Sequence, residues 1–336
     1  MRDRAMIRRV LTGLALGAAL LASSPAAHAG KTLTIGTAAA PDSLWGQAFN
    51  EWKKSVEKDG KGAVTLDIKF GSTQGSEATM VDKLKAGQLA GAGLSSAGLA
   101  KINRNLQLPG SLTDWAKLDK MRATMGAEFE KMLTDGGLSL ITWGDIGYAH
   151  FLSKGFAVRV PDDLKGKNPW IYGDDPVLKT FYAKVGGVNP FSAELLAVTS
   201  NLDNGKINCL AISALAAEML QWSSKFDNGV DDVRGIVVGA VVISTDSLGQ
   251  LLADVKKMVL DYGKGLNYKG TSLASRIRSE DAAAWTRFKS RSGVKIYTPT
   301  ADDKAKWVPV FKAARDSLKG TTFNGALLDR VEAAAK

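Results

Sequence analysis

The sequence predicts an α/β fold of two lobes, joined by crossing strands and finished by long C-terminal helices. Three observations carry that prediction. Apolar strands alternate with amphipathic helices along most of the 336 residues, a pattern that builds largely parallel sheets covered on both faces. A short pattern occurs twice: Leu84-x-x-Gly87-x-Leu89 leading to Ser95, and Leu202-x-x-Gly205-x-Ile207 leading to Ser213, with every equivalent position offset by 118 residues. Repetition at a fixed offset supports two similar lobes. Finally, Arg234–Ser244 holds a nearly continuous apolar run, GIVVGAVVIS, which reads as a buried strand returning to the first lobe.

Residues 1–29 stand apart. Arg2, Arg4, Arg8 and Arg9 precede the apolar run Val10–Ala22, and Ala27-His28-Ala29 fits a small-x-small cleavage site. This is the pattern of a secretory signal peptide, too short for a permanent span, so the expected location is periplasmic. Arg8-Arg9 leaves the general secretory and twin-Arg routes both open. Removing the segment takes away four arginines and Asp3, lowers the formal charge from +10 to +7, and leaves 307 residues, ample for two domains.

The remaining basic residues are spread over helices, as at Lys53-Lys54, Lys256-Lys257 and Lys304/Lys306. They read as solvated faces, so nucleic-acid binding is not expected. Cys209 is the single cysteine, which excludes an intrachain disulfide and a Cys-based metal site. After processing His150 is the only histidine. A Ser-His pair or a His-rich metal centre is therefore not expected, and Asp145 with His150 is the only candidate catalytic pair. Gly91-Ala-Gly93 lacks the later Gly and the Lys of a phosphate loop. No cofactor is expected.

In chain order, Thr32–Gly36 reads as a strand and Leu44–Lys58 as a helix capped by Asp42 or Ser43. Val64–Phe70 alternates as a half-buried strand. Ser76–Ala86 is a helix ended by Gly87, and Leu89–Leu94 a strand of small residues. Ile102–Leu112 reads as a loop, Asp119–Thr134 as a helix with a Met-Phe core stripe, and Gly137–Trp143 as a strand. Tyr148–Leu152 crosses to the second lobe. Beyond the apolar run, helices are expected over Thr245–Tyr262, Ser272–Lys289, Asp302–Leu318 and Thr322–Ala335, with a strand at Val294–Tyr297. The expected division is 30–148 plus 237–272 for one lobe and 149–236 plus 273–336 for the other.

The middle of the chain is the most specific part. Pro161-Asp162-Asp163-Leu164-Lys165-Gly166 is a turn into the strand Pro169–Tyr172. Gly173-Asp174-Asp175-Pro176 opens a helix that Gly186-Gly187 ends, with proline near its first position and acids ahead of it. Asn189-Pro190 follows, then a helix over Ala193–Asp203, a stop at Asn204-Gly205 and a strand over Lys206–Ile212. This order resembles the solute-receptor (P) subunits of TRAP transporters, the DctP-like periplasmic binding proteins, over about Thr32 to Lys319.

The resemblance implies a type II-like periplasmic binding-protein fold, with a small-molecule solute held between the lobes. It also implies membrane permease subunits as partners and, in some relatives, an accessory periplasmic helical-repeat protein. Catalysis is not implied. Family members usually hold a carboxylate solute through an Arg on the strand after the Leu-Lys-Gly turn, because a guanidinium binds a carboxylate bidentately. The equivalent position here is Trp170. A second family Arg lies on the crossing strand, where this chain reads Tyr148-Ala149-His150.

Ligands in such folds lie outside the carboxyl ends of the strands. The candidate ligand-binding residues are therefore Trp45, Gln74, Glu77, Ser95, Trp143, Tyr148, Trp170, Tyr172, Phe191 and Ser213. Aromatic surface in place of charge points to an apolar or aromatic solute rather than a simple dicarboxylate. Capture of a cation over Trp170 with Glu77 or Asp174 is an alternative. So is an organic acid held by another base, such as Arg104, Lys101 or Lys154.

Overall fold

The computed structural model describes residues 30–334 and 336. The expected signal peptide, residues 1–29, lies outside the described residues. The elements are β1 (Lys31–Thr37), α1 (Leu44–Gly60), β2 (Val64–Lys69), α2 (Glu77–Lys85), β3 (Gly91–Ser95), α3 (Ser96–Ile102), α4 (Trp115–Asp135), β4 (Leu138–Trp143) and β5 (Gly147–Ser153). Then come β6 (Trp170–Tyr172), α5 (Pro176–Val185), β7 (Phe191–Ala193), α6 (Val198–Asp203), β8 (Cys209–Ser213), α7 (Ala214–Met219), β9 (Asn228–Val230), β10 (Gly235–Val237) and β11 (Gly239–Ser244). The chain ends with α8 (Thr245–Gly249), α9 (Ala253–Gly263), α10 (Leu273–Ser290), β12 (Lys295–Tyr297), α11 (Ala301–Leu318) and α12 (Gly325–Ala334).

Two five-stranded sheets organise the lobes. The first has the order β2-β1-β3-β11-β4, with β1 parallel to β2 and β3, and β11 antiparallel to β3 and β4. The second runs β10-β5-β9-β12, with β8 also paired to β5. The short parallel pair β6-β7 leans on it through a Pro169–Cys209 bridge. Alternation in β1 buries Leu33 and Ile35 beneath α1, whose inner face is Trp45, Ala48, Phe49, Trp52 and Val56. Burial of these large apolar side chains supplies most of the local stabilisation.

The lobes are joined where two strands pass side by side. Trp143 ends β4 in the first sheet and Gly147 begins β5 in the second. The expected single run from Arg234 to Ser244 divides at Val238: β10 pairs with β5, and β11 returns to the first sheet. The two connections are hydrogen-bonded to each other, Gly144 N–H to Gly239 O at 2.9 Å and Ile146 N–H to Val237 O at 2.7 Å.

Other boundaries also shift. The expected helix over 193–203 keeps only α6, because Ala193 pairs with Tyr172 in β7 and a 3-10 turn follows at Leu195–Ala197. The strand expected from Lys206 starts at Cys209, since Ile207 and Asn208 donate to Asn201 O and Asn168 O instead of a ladder. Extended backbone at Leu252 breaks the helix expected over 245–262 into α8 and α9. The expected loop at 102–112 is mostly the 3-10 helix Arg104–Ser111. Two short helices were unexpected, α3 and α7. Their N-caps are Ser95 and Ser213, the two hydroxyls of the 118-residue echo.

Candidate functional site

The candidate residues lie on loops and element ends of both lobes. On the first lobe, Ser43 caps α1 by accepting from Gly46 N–H at 3.1 Å, which places Trp45 in the opening turn. The indole passes over Gly144, where an added Cβ would lie 2.2 Å from the ring. Ser76 caps α2, so Glu77 is its first residue. The Glu77 carboxylate turns inward, only 7% exposed. Its Oε2 accepts from Ser95 N–H (3.0 Å), Ser95 Oγ–H (2.8 Å) and Gly98 N–H (2.8 Å). Glu77 thereby closes the N-terminal turn of α3, where a negative charge is stabilised. Burial still pushes its carboxyl above the usual carboxylate range, and Glu194 adds to the rise. Gln74 lies beside Gly36 and accepts from Lys83 Nζ at 3.0 Å.

On the second lobe, β6 presents Trp170 and Tyr172 on one face, two residues apart. Their rings stack at 5.4 Å. Trp170 also meets Trp222 edge-on at 5.5 Å and donates Nε1–H to Ala193 O at 2.9 Å. It is 7% exposed. The indole is therefore packed beneath Tyr172 with its donor already occupied. Tyr172, half-buried, is the outer ring of the stack. Burial raises its hydroxyl pKa, and the fields of Glu77 and Glu194 raise it further. Phe191 pairs in register with Trp170 on β7. Trp45, Trp170, Tyr172 and Phe191 share one apolar cluster that spans both lobes.

The remaining candidates are held elsewhere. Trp143 and Tyr148 pack on the other face of the first sheet. The guanidinium of Arg122 sits 5.0 Å over Trp143 and grips Asp145 through two 2.7 Å bonds. The Tyr148 ring packs at a tilt on Trp115, 4.7 Å between centroids, and its hydroxyl accepts from Trp115 N–H at 3.0 Å. Ser213 accepts from Ala216 N–H and donates to Ile146 O, both at 3.1 Å. Among the alternative bases, Arg104 donates to Gln107 at 3.3 Å, Lys101 lies 3.7 Å from Asp82, and Lys154 is exposed. Asp145 and His150 form no pair. His150 stacks on Trp285 at 4.1 Å with Nδ1 against Val230 O and Asp232 O, and burial lowers its pKa.

Several residues of the interlobe region escaped the sequence reading. Gln107 donates Nε2–H across the lobes to Asp175 at 3.0 Å. Asp281 on α10 is 3% exposed and accepts from Tyr148 N–H at 2.8 Å and Leu215 N–H at 3.2 Å. Its place in the stripe Leu273, Ile277, Asp281, Ala284, Phe288 was the available signal, a carboxylate where helical spacing calls for an apolar residue. Arg278 pairs bidentately with Asp119 at 2.6 and 2.7 Å. Arg122 and Arg278 are thus paired with the protein's own carboxylates. Among the described residues no helix is long and apolar enough to cross a membrane.

The comparisons with known proteins agree with this architecture. The model of the family described as bacterial extracellular solute-binding protein, family 7 (DctP) matches residues 35–319. A TRAP periplasmic solute-binding protein from Shewanella oneidensis, solved with bound succinate, superposes with a TM-score of 0.81 at 17% identity, covering 92% of this chain and 100% of that one. One from Desulfovibrio salexigens with bound orotic acid gives 0.78 at 18% identity, covering 90% and 98%. One from Ralstonia eutropha with bound (S)-2-acetolactate gives 0.79 at 15% identity, with the same coverage. An uncharacterized protein, y4mM, from Sinorhizobium fredii is 28% identical over 191 residues, 55% of this chain. The match spans only 35% of that curated relative's length. With the family model covering most of its length, this two-lobed chain belongs to the bacterial extracellular solute-binding proteins of family 7, which are transport receptors and not enzymes.

Proposed function

We propose that the chain is the periplasmic receptor of a TRAP-type transporter, and that its solute is apolar or aromatic rather than a simple mono- or dicarboxylate. The observation that carries this reading is the Trp170–Tyr172 stack, at the position where the family resemblance implies a carboxylate-binding Arg. A carboxylate moved from water against an aromatic wall loses hydration that the wall does not restore. An aromatic or aliphatic solute gains by burying its surface against Tyr172, Trp45 and Phe191. Solute binding across the lobes favours the closed arrangement by population shift, and the loaded receptor then hands its solute to membrane permease subunits. An accessory helical-repeat protein is a further candidate partner. The proposed lobes are 30–148 plus 237–272 and 149–236 plus 273–336.

Tryptophan fluorescence titrated with a panel of aromatic, aliphatic and dicarboxylate solutes tests the solute class. Saturable quenching by an aromatic solute supports it. Tight binding of succinate overturns it. Native mass spectrometry of protein purified without refolding identifies any retained solute directly. The organic acids bound in the three neighbours favour one competing reading, an acid held by half-buried Arg104 beside the Gln107–Asp175 contact. Loss of acid binding in Arg104→Ala would establish it.

A further inference from the structure

The loop 40–43, just before Trp45, is held largely by side chains. Gly46 lies so close beneath it that an added Cβ would stand 2.2 Å from Ala40 O and 2.4 Å from Pro41 O. Ser43 closes the turn: its N–H (3.2 Å) and Oγ–H (2.6 Å) both donate to Ala40 O, and the same Oγ caps α1. The next two carbonyls receive side-chain amides from α1, Pro41 O from Asn50 Nδ2 at 3.3 Å and Asp42 O from Gln47 Nε2 at 2.9 Å. These bonds set where α1 begins, and so where Trp45 stands. A side-chain amide has one accepting end and one donating end, so only one orientation of Gln47 serves the loop.

Arg276, on the first half of α10, sets that orientation. Its Nη2 donates to Gln47 Oε1 at 2.7 Å. A guanidinium carries donors only, so Oε1 must face Arg276 and Nε2 must face Asp42 O. The guanidinium is itself seated, 4.5 Å over the Tyr268 ring. Tyr268 in turn exchanges two backbone bonds with Thr271, at 3.0 and 3.1 Å, in a closed turn. Gln47 is the one hydrogen-bond partner of this guanidinium among the described residues, and Nη1 is buried with none. Leaving a buried donor unpaired is unfavourable. Saturating its donors therefore does not account for where Arg276 sits, whereas the contact with Gln47 does.

We propose that Arg276 is a positioning residue for solute binding: acting through Gln47, it fixes the loop 40–43 and with it the Trp45 wall of the crevice. This rests on the reading above that a solute lies against Trp45. The second half of α10 is tied to the second lobe, Trp285 to Asp231 at 2.9 Å. The loop is thus held from a helix that both lobes grip, so the wall is in place before the solute arrives, and less ordering is left for binding to supply.

The test compares Arg276→Ala, Arg276→Lys and Gln47→Glu in the full chain. Gln47→Glu separates positioning from a mere tie between α1 and α10. Its carboxylate still accepts from Arg276, and more strongly, but it has no donor for Asp42 O. Hydrogen exchange of the peptide spanning 38–47, read by mass spectrometry, should quicken about tenfold in Arg276→Ala and in Gln47→Glu. Arg276→Lys keeps a donor for Oε1 and should restore part of the protection. Isothermal titration with phenethyl alcohol and with succinate, one probe for each solute class, should show affinity falling about three- to tenfold in the same two variants. Unchanged exchange in Gln47→Glu overturns the proposal, because a simple tie survives that substitution. Quickened exchange with full affinity for the probe that binds also overturns it. Should Arg276→Ala melt early by circular dichroism, Gln47→Glu and Arg276→Lys decide. Binding of succinate alone overturns the aromatic-solute reading and leaves this proposal to be judged on succinate. If neither probe binds, the exchange result decides by itself.

Discussion

Replacing Asp281 by Asn should change how stability depends on pH more than it changes stability itself. Asp281 lies where α10 meets the first residues of β5 and α7. Each carboxylate oxygen accepts one backbone N–H, from Tyr148 and from Leu215. Gly147 makes this approach possible, because an added Cβ there would stand 2.4 Å from Oδ1. Burial pushes the Asp281 carboxyl up to about 6, partly offset by the two N–H donors. The ordinary value is 3.8. A folded-state pKa above the unfolded one means that the folded state binds the proton more tightly. The resulting stabilisation is complete below the unfolded value and is lost as pH rises through the folded value. The span from 3.8 to about 6 corresponds to about 3 kcal/mol.

Asn cannot titrate, so this contribution vanishes in Asp281→Asn. Its amide keeps one acceptor and turns an NH2 toward the other backbone N–H, which costs about 1–3 kcal/mol at every pH. The measurement is urea unfolding of both proteins from pH 4 to pH 8. The expected result is a wild-type advantage that is largest near pH 4 and shrinks by about 3 kcal/mol by pH 8. Carboxylates with lowered pKa, such as Asp119 and Asp231, pull stability the other way but are common to both proteins and cancel in the difference. A difference that stays constant over this range refutes the reasoning.

Gly144→Ala should force the Trp45 indole from its place, since the new methyl would lie 2.2 Å from the ring; a cost of about 1–3 kcal/mol is expected in urea unfolding. Arg122→Ala strips Asp145, 2% exposed, of its bidentate partner and should cost about 3–5 kcal/mol, with much of the loss recovered in the Arg122→Leu/Asp145→Leu double variant. Gln107→Leu removes the interlobe bond to Asp175. It should weaken closure by about 1 kcal/mol, read as a larger radius of gyration in small-angle scattering without a change in melting temperature.

The sequence disclosed strands and long helices wherever a single local rule governed them. Ser43 is one of the two caps expected for α1, and the helices expected from Ser272 and Asp302 are α10 and α11, whose caps are Ser272 and Thr300. It did not disclose α3 or α7, whose seven and six residues, SAGLAKI and ALAAEM, are too short to show a helical period. The echo at 118 residues pointed to Ser95 and Ser213 all the same, but as hydroxyls at strand ends. Their part as helix caps needed the helices to be seen. Glu77 shows the same limit. Its partners Ser95 and Gly98 lie 18 and 21 residues away, and nothing local distinguishes that cap from an acid in the first turn of its own helix. For Trp170, β6 was legible but the packing of its face was not. A three-residue strand, whose Trp170 ring packs against both Tyr172 and Trp222, has no alternation long enough to assign an outside.

The contacts of α10 bear on how such a receptor closes. Its first half is tied to the first lobe, Arg276 to Gln47 at 2.7 Å and Arg278 to Asp119. Its second half is tied to the second lobe, Trp285 to Asp231 at 2.9 Å and Arg287 to Glu218 at 3.0 Å. Asp281 sits between these halves and holds the start of β5. A rigid rotation of one lobe about the paired connections 143–147 and 237–239 would have to break one set of α10 contacts or bend the helix near Asp281. Bending costs less, because helices curve through small changes in many hydrogen bonds, whereas breaking the Arg278–Asp119 pair and the buried Asp281 bonds leaves charge unpaired. Closure is therefore expected to flex α10 around Asp281, and solute affinity depends on that flexure as well as on the crevice walls.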